Sequence, residues 1–276
     1  WLLPLLGEAG RRRTVALCRH DDARFRVTAF RSLRAAGVDI LALAKQLARD
    51  PSAAVRREVA LAMRDVPLKD CQSILLDIAE RYDGEDRWYL EAVGTGCDGK
   101  EDAIYPLLAE RLGAPPAQWD ARFAGLVWRL HPRAAVAPLT VRALDNQLDE
   151  ATRKQAIDTL AFIADASAAR AMVRVARDGP LGLDKHARWW INFRRSNLWR
   201  SYELPSSERP LQLPPEIVQL LPDNEVYRSD VIRRGDIAEI DVGINGAKRL
   251  YLVVSDGADG TFCDWADWAT PRLIGP

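Results

Sequence analysis

Along "ARDPSAAVRREVALAMRDVP" the apolar positions are Val55, Val59, Ala62 and Met63, spaced i, i+4, i+7, i+8. That spacing lays one stripe along a helix. Asp50-Pro51-Ser52 ahead of it predicts the helix start, since a capping oxygen satisfies an orphan N–H and proline has none to lose. Pro67 predicts the stop. The pattern returns in "RHDDARFRVTAFRSLRAAG", with Asp21 or Asp22 as cap, Phe25, Ala29 and Leu33 as the inward face, and Gly37 as terminator. A third copy, "LDEATRKQAIDTLAFIADAS", keeps Thr152, Ala156 and Leu160 in a similar register. Between the copies, "ILALAKQLA" and "CQSILLDIAERY" predict apolar partner helices. Two helices per unit at a period of about thirty to forty residues predict an α-solenoid, where each unit buries its stripe against the next.

The D-x(3–4)-[VF]-R-x-x-[VA] spacing inside these copies resembles HEAT repeats. The resemblance implies that the aspartate caps the second helix of a unit and the arginine bridges neighbouring units. Asp21 with Arg26, and Asp50 with Arg56, occupy those places.

The middle of the chain is less regular. "DRWYLEAVGTGCDGKEDAIYPLLAERLG" predicts a helix around Trp88–Val93 that breaks at Gly94, Gly96 and Gly99. Trp119, Phe123 and Trp128 share one helical face, either as an aromatic groove or as filling between imperfect repeats. In "DKHARWWINFRRSNLWRSYEL", Trp189, Phe193 and Trp199 are expected to bury while Arg188, Arg194, Arg195 and Arg200 face outward. Such a helix either caps the last repeat or offers a basic, aromatic surface to nucleic acid or an acidic partner.

Five prolines then fall within "ELPSSERPLQLPPEIVQLLPDNE", a composition suited to neither helix nor sheet. Past it the period changes to two. "IAEIDVGIN" alternates Ile240, Val242 and Ile244 against Glu239 and Asp241, and "RLYLVVSDG" puts Leu250, Leu252 and Val254 on one face. Asn245-Gly246 predicts the turn between two antiparallel strands. So few strands need more sheet, or the solenoid, to be stable. The expected organisation is mainly α: a solenoid over 1–202, a linker over 203–222 and a small, incomplete β module over 223–276.

The stretch "DGADGTFCDWADW" concentrates the candidate chemistry. Asp256-Gly257 and Asp259-Gly260 form turns. Three readings of the rest compete. The aspartates pair with Arg233, Arg234 or Arg249 while the tryptophans close a sandwich. Alternatively Asp256, Asp259 and Asp264 bind Ca²⁺, which takes several oxygen ligands, although the spacing is not that of an EF-hand. Or Trp265 and Trp268 stack on a sugar whose hydroxyls donate to Asp264 and Asp267.

The residues Gly246 to Leu273, "GAKRLYLVVSDGADGTFCDWADWATPRL", resemble the β-sandwich modules known as NPCBM or NEW2 domains. The resemblance implies carbohydrate binding. Together with the helical part it also resembles the central region of large secreted planctomycete-type proteins, the PVC-type haem-binding family. That wider resemblance implies a secreted or periplasmic protein with dehydrogenase-like and cytochrome c domains elsewhere. The opening "WLLPLLGEAGRRR" begins inside a helix-turn-helix pattern, so a piece of a longer polypeptide is expected.

Composition refines this. The chain is 48% hydrophobic and 28% charged, as in a globular protein. Its formal net charge of zero conceals a basic front, twelve Arg/Lys against six Asp/Glu over 1–60, and an acidic back, six against ten over 223–276. No apolar run reaches the roughly 20 residues of a membrane span. Cys18, Cys71, Cys97 and Cys263 form no CxxC or CxxCH, so neither a zinc ribbon nor a haem attachment lies within these residues. His20, His131 and His186 are too scattered to form a metal pair. Glycine-rich phosphate loops and G-x-S-x-G are absent. The sequence therefore predicts a non-enzymatic scaffold that docks proteins or sibling domains, coupled to a carbohydrate-binding module. A basic nucleic-acid solenoid using Arg11, Arg12, Arg13, Arg19, Arg24, Arg26, Arg31 and Arg34 is the alternative, beside a purely structural role.

Overall fold

A computed structural model of the chain describes residues 1–180, 182–205, 207 and 239–243. The described part is mainly helical. Its α-helices are α1 (Gly7–Leu17), α2 (Ala23–Ala35), α3 (Leu41–Leu47), α4 (Ala53–Ala62), α5 (Leu68–Ala79), α6 (Arg87–Gly96), α7 (Glu101–Leu112), α8 (Ala121–Leu130), α9 (Val136–Leu144), α10 (Glu150–Phe162), α11 (Ala166–Asp178) and α12 (Leu183–Arg195). Even-numbered helices α2 to α12 touch in succession and form one layer. Odd-numbered helices form the other, with α3 on α5, α5 on α7 and α9 on α11. Each unit is thus a helical hairpin stacked on its neighbours.

Aspartates set many of the starts. Asp22, Asp86, Asp120, Asp149 and Asp165 each accept a backbone N–H in the first turn of α2, α6, α8, α10 and α11. Each such cap contributes about 1 kcal/mol. Asp22, not Asp21, is the cap of α2, and its carboxyl is lowered to about 2, chiefly by the side-chain bond from Arg24. Ser52 holds the N-cap position of α4 without a side-chain bond, while the Ser52 N–H donates to Asp50 Oδ1 at 2.8 Å.

The stripe Val55, Val59, Ala62, Met63 is buried, and Val55, Val59 and Met63 are fully so. Phe30, Leu33, Leu75 and Ile78 join it in one continuous core. Each such side chain contributes about 1.5–3 kcal/mol. Glycine brings two of the helices together. At Gly96 a Cβ would collide with the Ala60 carbonyl oxygen, so α4 and α6 approach there more closely than any side chain allows.

Several expected inward faces are displaced. Phe25 is exposed and rests against the His20 ring; the buried stripe of α2 is Arg26, Ala29, Phe30, Leu33. Gly94 and Gly96 do not break α6 but lie within it, and the chain turns at Gly99 with φ +73. Thr152 is half-buried, spent on the Asp149 cap. Trp119 precedes α8 rather than riding on it; Phe123 is buried and Trp128 half-buried. Trp189 and Phe193 are exposed, because α12 turns Leu183, Ala187 and Ile191 inward. Arg188 is correspondingly drawn in against Asp184 at 2.8 Å, and Arg194 is half-buried. His131 ends α8 in the left-handed conformation at φ 49. Residues 239–243, expected within a strand, carry no regular element and leave Ile240 exposed. The rest of the expected β module lies outside the described residues.

Candidate functional site

Two features of the helical stack carry chemistry: a line of arginines between units, and the open face of the even-helix layer. Arg26, on α2, reaches the following unit. Its Nε and Nη2 donate to Asp50 Oδ2 and Oδ1 at 2.8 and 2.7 Å. Its Nη1 donates to the carbonyls of His20 and Asp21, both at 2.8 Å. Arg56, on α4, repeats the inward half of this arrangement, donating to the Asp50 and Pro51 carbonyls at 2.7 and 3.0 Å. Its outward half meets a phenol: Arg56 Nε donates to Tyr89 Oη at 2.9 Å, and Tyr89 Oη donates to the Ile78 carbonyl at 2.7 Å. These groups are consumed by the fold and hold unit to unit.

The even-helix face is different. Between α2, α4 and α6 it opens into a groove of about 540 Å³, lined by Val27, Leu61, Trp88 and Thr95 among others. Ion pairs cross its floor from helix to helix: Arg31 with Glu58, and Arg57 with Asp86 at 3.7 Å. Trp88, 75% exposed, stands at its edge. Further along, Glu91 receives Arg129 at 2.5 Å and Arg87 at 2.7 Å. Burial pushes the Glu91 carboxyl up, but these two guanidinium groups outweigh it and hold it below the usual range.

From α8 onward the face turns aromatic. The Arg87 guanidinium lies 4.9 Å over the Trp128 ring. Trp128 meets His131 edge-on at 5.9 Å, His131 stacks on Phe162 at 5.3 Å, and Phe162 meets Trp190 at 5.5 Å. Trp190 leads to Trp189 and Phe193 at 4.8 and 5.9 Å, and Trp189 stacks on Phe193 at 5.5 Å. Burial, then the Arg129 and Arg194 charges, push the His131 imidazole down to about 4, so it is neutral near pH 7. Beside the strip, Asp158 Oδ1 accepts from Trp190 Nε1 at 2.7 Å and lies 2.5 Å from His186 Nε2. Burial raises the Asp158 carboxyl, yet those hydrogen bonds leave it lowered on balance.

The sequence alone leaves Trp128 and His131 in separate contexts, passes over Phe162 and Trp190, and does not assemble this strip. A signal was present: Trp88, Trp128, Phe162 and Trp190 recur at roughly the repeat period, one aromatic per unit on the same layer.

The loop residues Asp256, Asp259, Asp264, Trp265, Asp267 and Trp268 lie outside the described residues, as do Arg233, Arg234, Arg249 and Cys263. Among the described residues no cluster of three metal-ligating side chains occurs, and no helix is long and apolar enough to cross a membrane. Cys18, Cys71 and Cys97 are buried free thiols. Burial raises Cys18 to about 11 and Cys97 to about 12, which leaves both unreactive as nucleophiles at neutral pH. Of the eight arginines in the basic front, Arg24, Arg26 and Arg31 are engaged with Asp22, Asp50 and Glu58.

Comparison with known proteins adds one finding. Residues 217–274 match the family model of the NPCBM/NEW2 domain. No curated protein and no solved structure matches the chain. The result is a body of stacked helical hairpins followed by a segment that matches the NPCBM/NEW2 domain. The matched span overlaps the end of the Pro-rich stretch and contains every residue of the Asp/Trp loop.

Proposed function

We propose that the chain is a non-catalytic binding protein, in which the helical stack is a scaffold for protein or sibling-domain contacts and residues 217–274 bind carbohydrate. The NPCBM/NEW2 match carries this reading. In it, Trp265 and Trp268 stack on the apolar face of a sugar, and Asp264 and Asp267 accept its hydroxyl protons. The competing reading of the same loop gives Asp256, Asp259 and Asp264 to a Ca²⁺ ion instead. The order of helical repeats and then this module supports a wider proposal: a segment of a secreted, PVC-type haem-binding protein whose haem and dehydrogenase-like chemistry reside in other parts of the polypeptide.

Affinity electrophoresis of the whole chain through gels containing neutral polysaccharides, with and without a calcium chelator, tests the binding reading. Wild type is retarded by at least one of the polymers. Trp265→Ala and Trp268→Ala each weaken the retention about tenfold, in line with the loss of one buried aromatic contact. Equal mobility of wild type and both variants in every gel would refute it.

A further inference from the structure

Arg194 differs from three other arginines of the even-numbered helices. Arg31, Arg57 and Arg129 each meet a carboxylate of a neighbouring unit. Among the described residues the Arg194 guanidinium meets only rings: Phe162 at 4.4 Å, Trp190 at 5.0 Å and Phe193 at 5.3 Å. Its Nε is buried without a hydrogen-bond partner, and so is His131 Nε2 on the far side of the Phe162 contact. A buried guanidinium N–H without an acceptor is costly, and cation–π attraction offsets only part of that cost. Desolvation accordingly lowers its affinity for the proton. Around it stand ring faces open to solvent: Trp189 53%, Phe193 46% and Phe162 43% exposed.

We propose that the strip of His131, Phe162, Trp189, Trp190, Phe193 and Arg194 is a second carbohydrate subsite, on the helical body itself, for an acidic sugar unit. A uronate carboxylate pairs with Arg194, and the apolar face of the same ring lies on Trp189. Trp189 stacks on Phe193 at 5.5 Å and Phe193 lies 5.3 Å from the guanidinium, so the exposed ring faces and the cation form one continuous surface. A carboxylate that reaches the Nη groups gains a charge-assisted partner, and among the described residues no acid is paired with it. Neutral His131 adds no second cation near pH 7, so one negative charge is matched by one positive charge. The choice of a sugar over another anion rests on the carbohydrate-binding reading of residues 217–274.

The test compares the whole chain and four variants for retention by polygalacturonate, by uncharged pullulan and by poly-L-glutamate, at about 0.15 M salt, where long-range attraction is screened. Wild type binds polygalacturonate. Arg194→Gln and Trp189→Ala each weaken that binding about tenfold or more, as expected for a lost charge-assisted pair or stacking face. Arg195→Gln, the exposed neighbouring charge without a ring contact, changes it less than about twofold. Trp265→Ala plus Trp268→Ala leaves it unchanged, so failure of the 217–274 reading shows up separately, as absent or variant-insensitive retention by neutral polysaccharides. Trp189 is half out in solvent, so its removal keeps the helical circular dichroism intact. Four results would overturn the inference: no binding to polygalacturonate; equal binding to poly-L-glutamate, which would mark an acidic-peptide site; equal loss in Arg195→Gln, which would mark bulk charge; or loss in the Trp265/Trp268 variant, which would place the acidic-sugar site in the module.

Discussion

Replacing Asp50 by alanine tests whether the stack is held unit to unit. The Asp50 carboxylate is 6% exposed and its partner, the Arg26 side chain, 11%. Two parallel N–H donors from Arg26 and the Ser52 amide converge on it. Asp50→Ala removes all three bonds and leaves the guanidinium facing a dry interface. Uncompensated burial of one partner costs about 3–5 kcal/mol, well above the about 0–1 kcal/mol of an exposed pair. Arg26 belongs to α2 and Asp50 precedes α4, so the damage falls on the joint between the first units. In a one-dimensional stack that joint gives way before the rest. Urea unfolding of the variant should become two transitions, with the earlier one confined to α1 and α2. Hydrogen exchange read by mass spectrometry should show peptides from 7–35 losing protection about a hundredfold, the equivalent of about 3 kcal/mol, with peptides from α8 to α11 unchanged. Arg26→Leu combined with Asp50→Leu should regain most of the loss, because an apolar pair needs no solvation. A loss below about 1 kcal/mol, or equal loss of protection along all units, would refute the reasoning.

Two further outcomes follow from burial. His131 has its pKa depressed from 6.5 to about 4, so the unfolded chain takes up the proton first as pH falls. Its contribution is complete above about pH 6.5 and is lost progressively toward pH 4, amounting to about 2–3 kcal/mol between about pH 7 and pH 4.5. His131→Asn, which tolerates the left-handed backbone, should flatten that part of the urea-midpoint profile; an unchanged profile would show that the imidazole is protonated in the fold. Trp199→Ala should cost about 3–5 kcal/mol, because the indole is fully buried and donates to the Ile163 carbonyl at 3.1 Å. The same change at exposed Trp189 should stay within about 0.5 kcal/mol, and thermal melts of both variants check the contrast.

The helical architecture was legible because its signals are local. Val55, Val59 and Met63 report one helix through their spacing, and aspartates ahead of small apolar runs report the starts. What failed was register at positions where a polar side chain takes an inward place. Arg26 is buried and Phe25 exposed, a one-residue offset that hydropathy inverts because it cannot see a carboxylate from the next unit. Neighbouring Trp189 and Trp190 are equivalent in composition, yet Ala187 and Ile191 decide which one turns inward. Gly94 and Gly96 look like breakers until a partner is in place: at Gly96 the Ala60 carbonyl of α4 occupies the space a side chain would need. The aromatic strip was hidden for a related reason, since it joins residues of α8, α10 and α12 that only the stacking brings together.

The unpaired state of Arg194 invites a simpler account, that α12 is a torn edge whose next unit would have brought an acid. The packing beyond α12 argues against it. Leu2, Leu5 and Leu6 leave apolar side chains facing water ahead of α1. After α12 the chain instead folds back, buries Trp199 completely and packs Leu198, Tyr202 and Leu204 against the core. Among the described residues Trp199 covers the core there, while the adjoining even-helix face keeps the Trp189, Phe193 and Phe162 rings exposed and Arg194 half-buried. Trp199 covers apolar surface here but supplies no counter-charge, so a small anion satisfies Arg194.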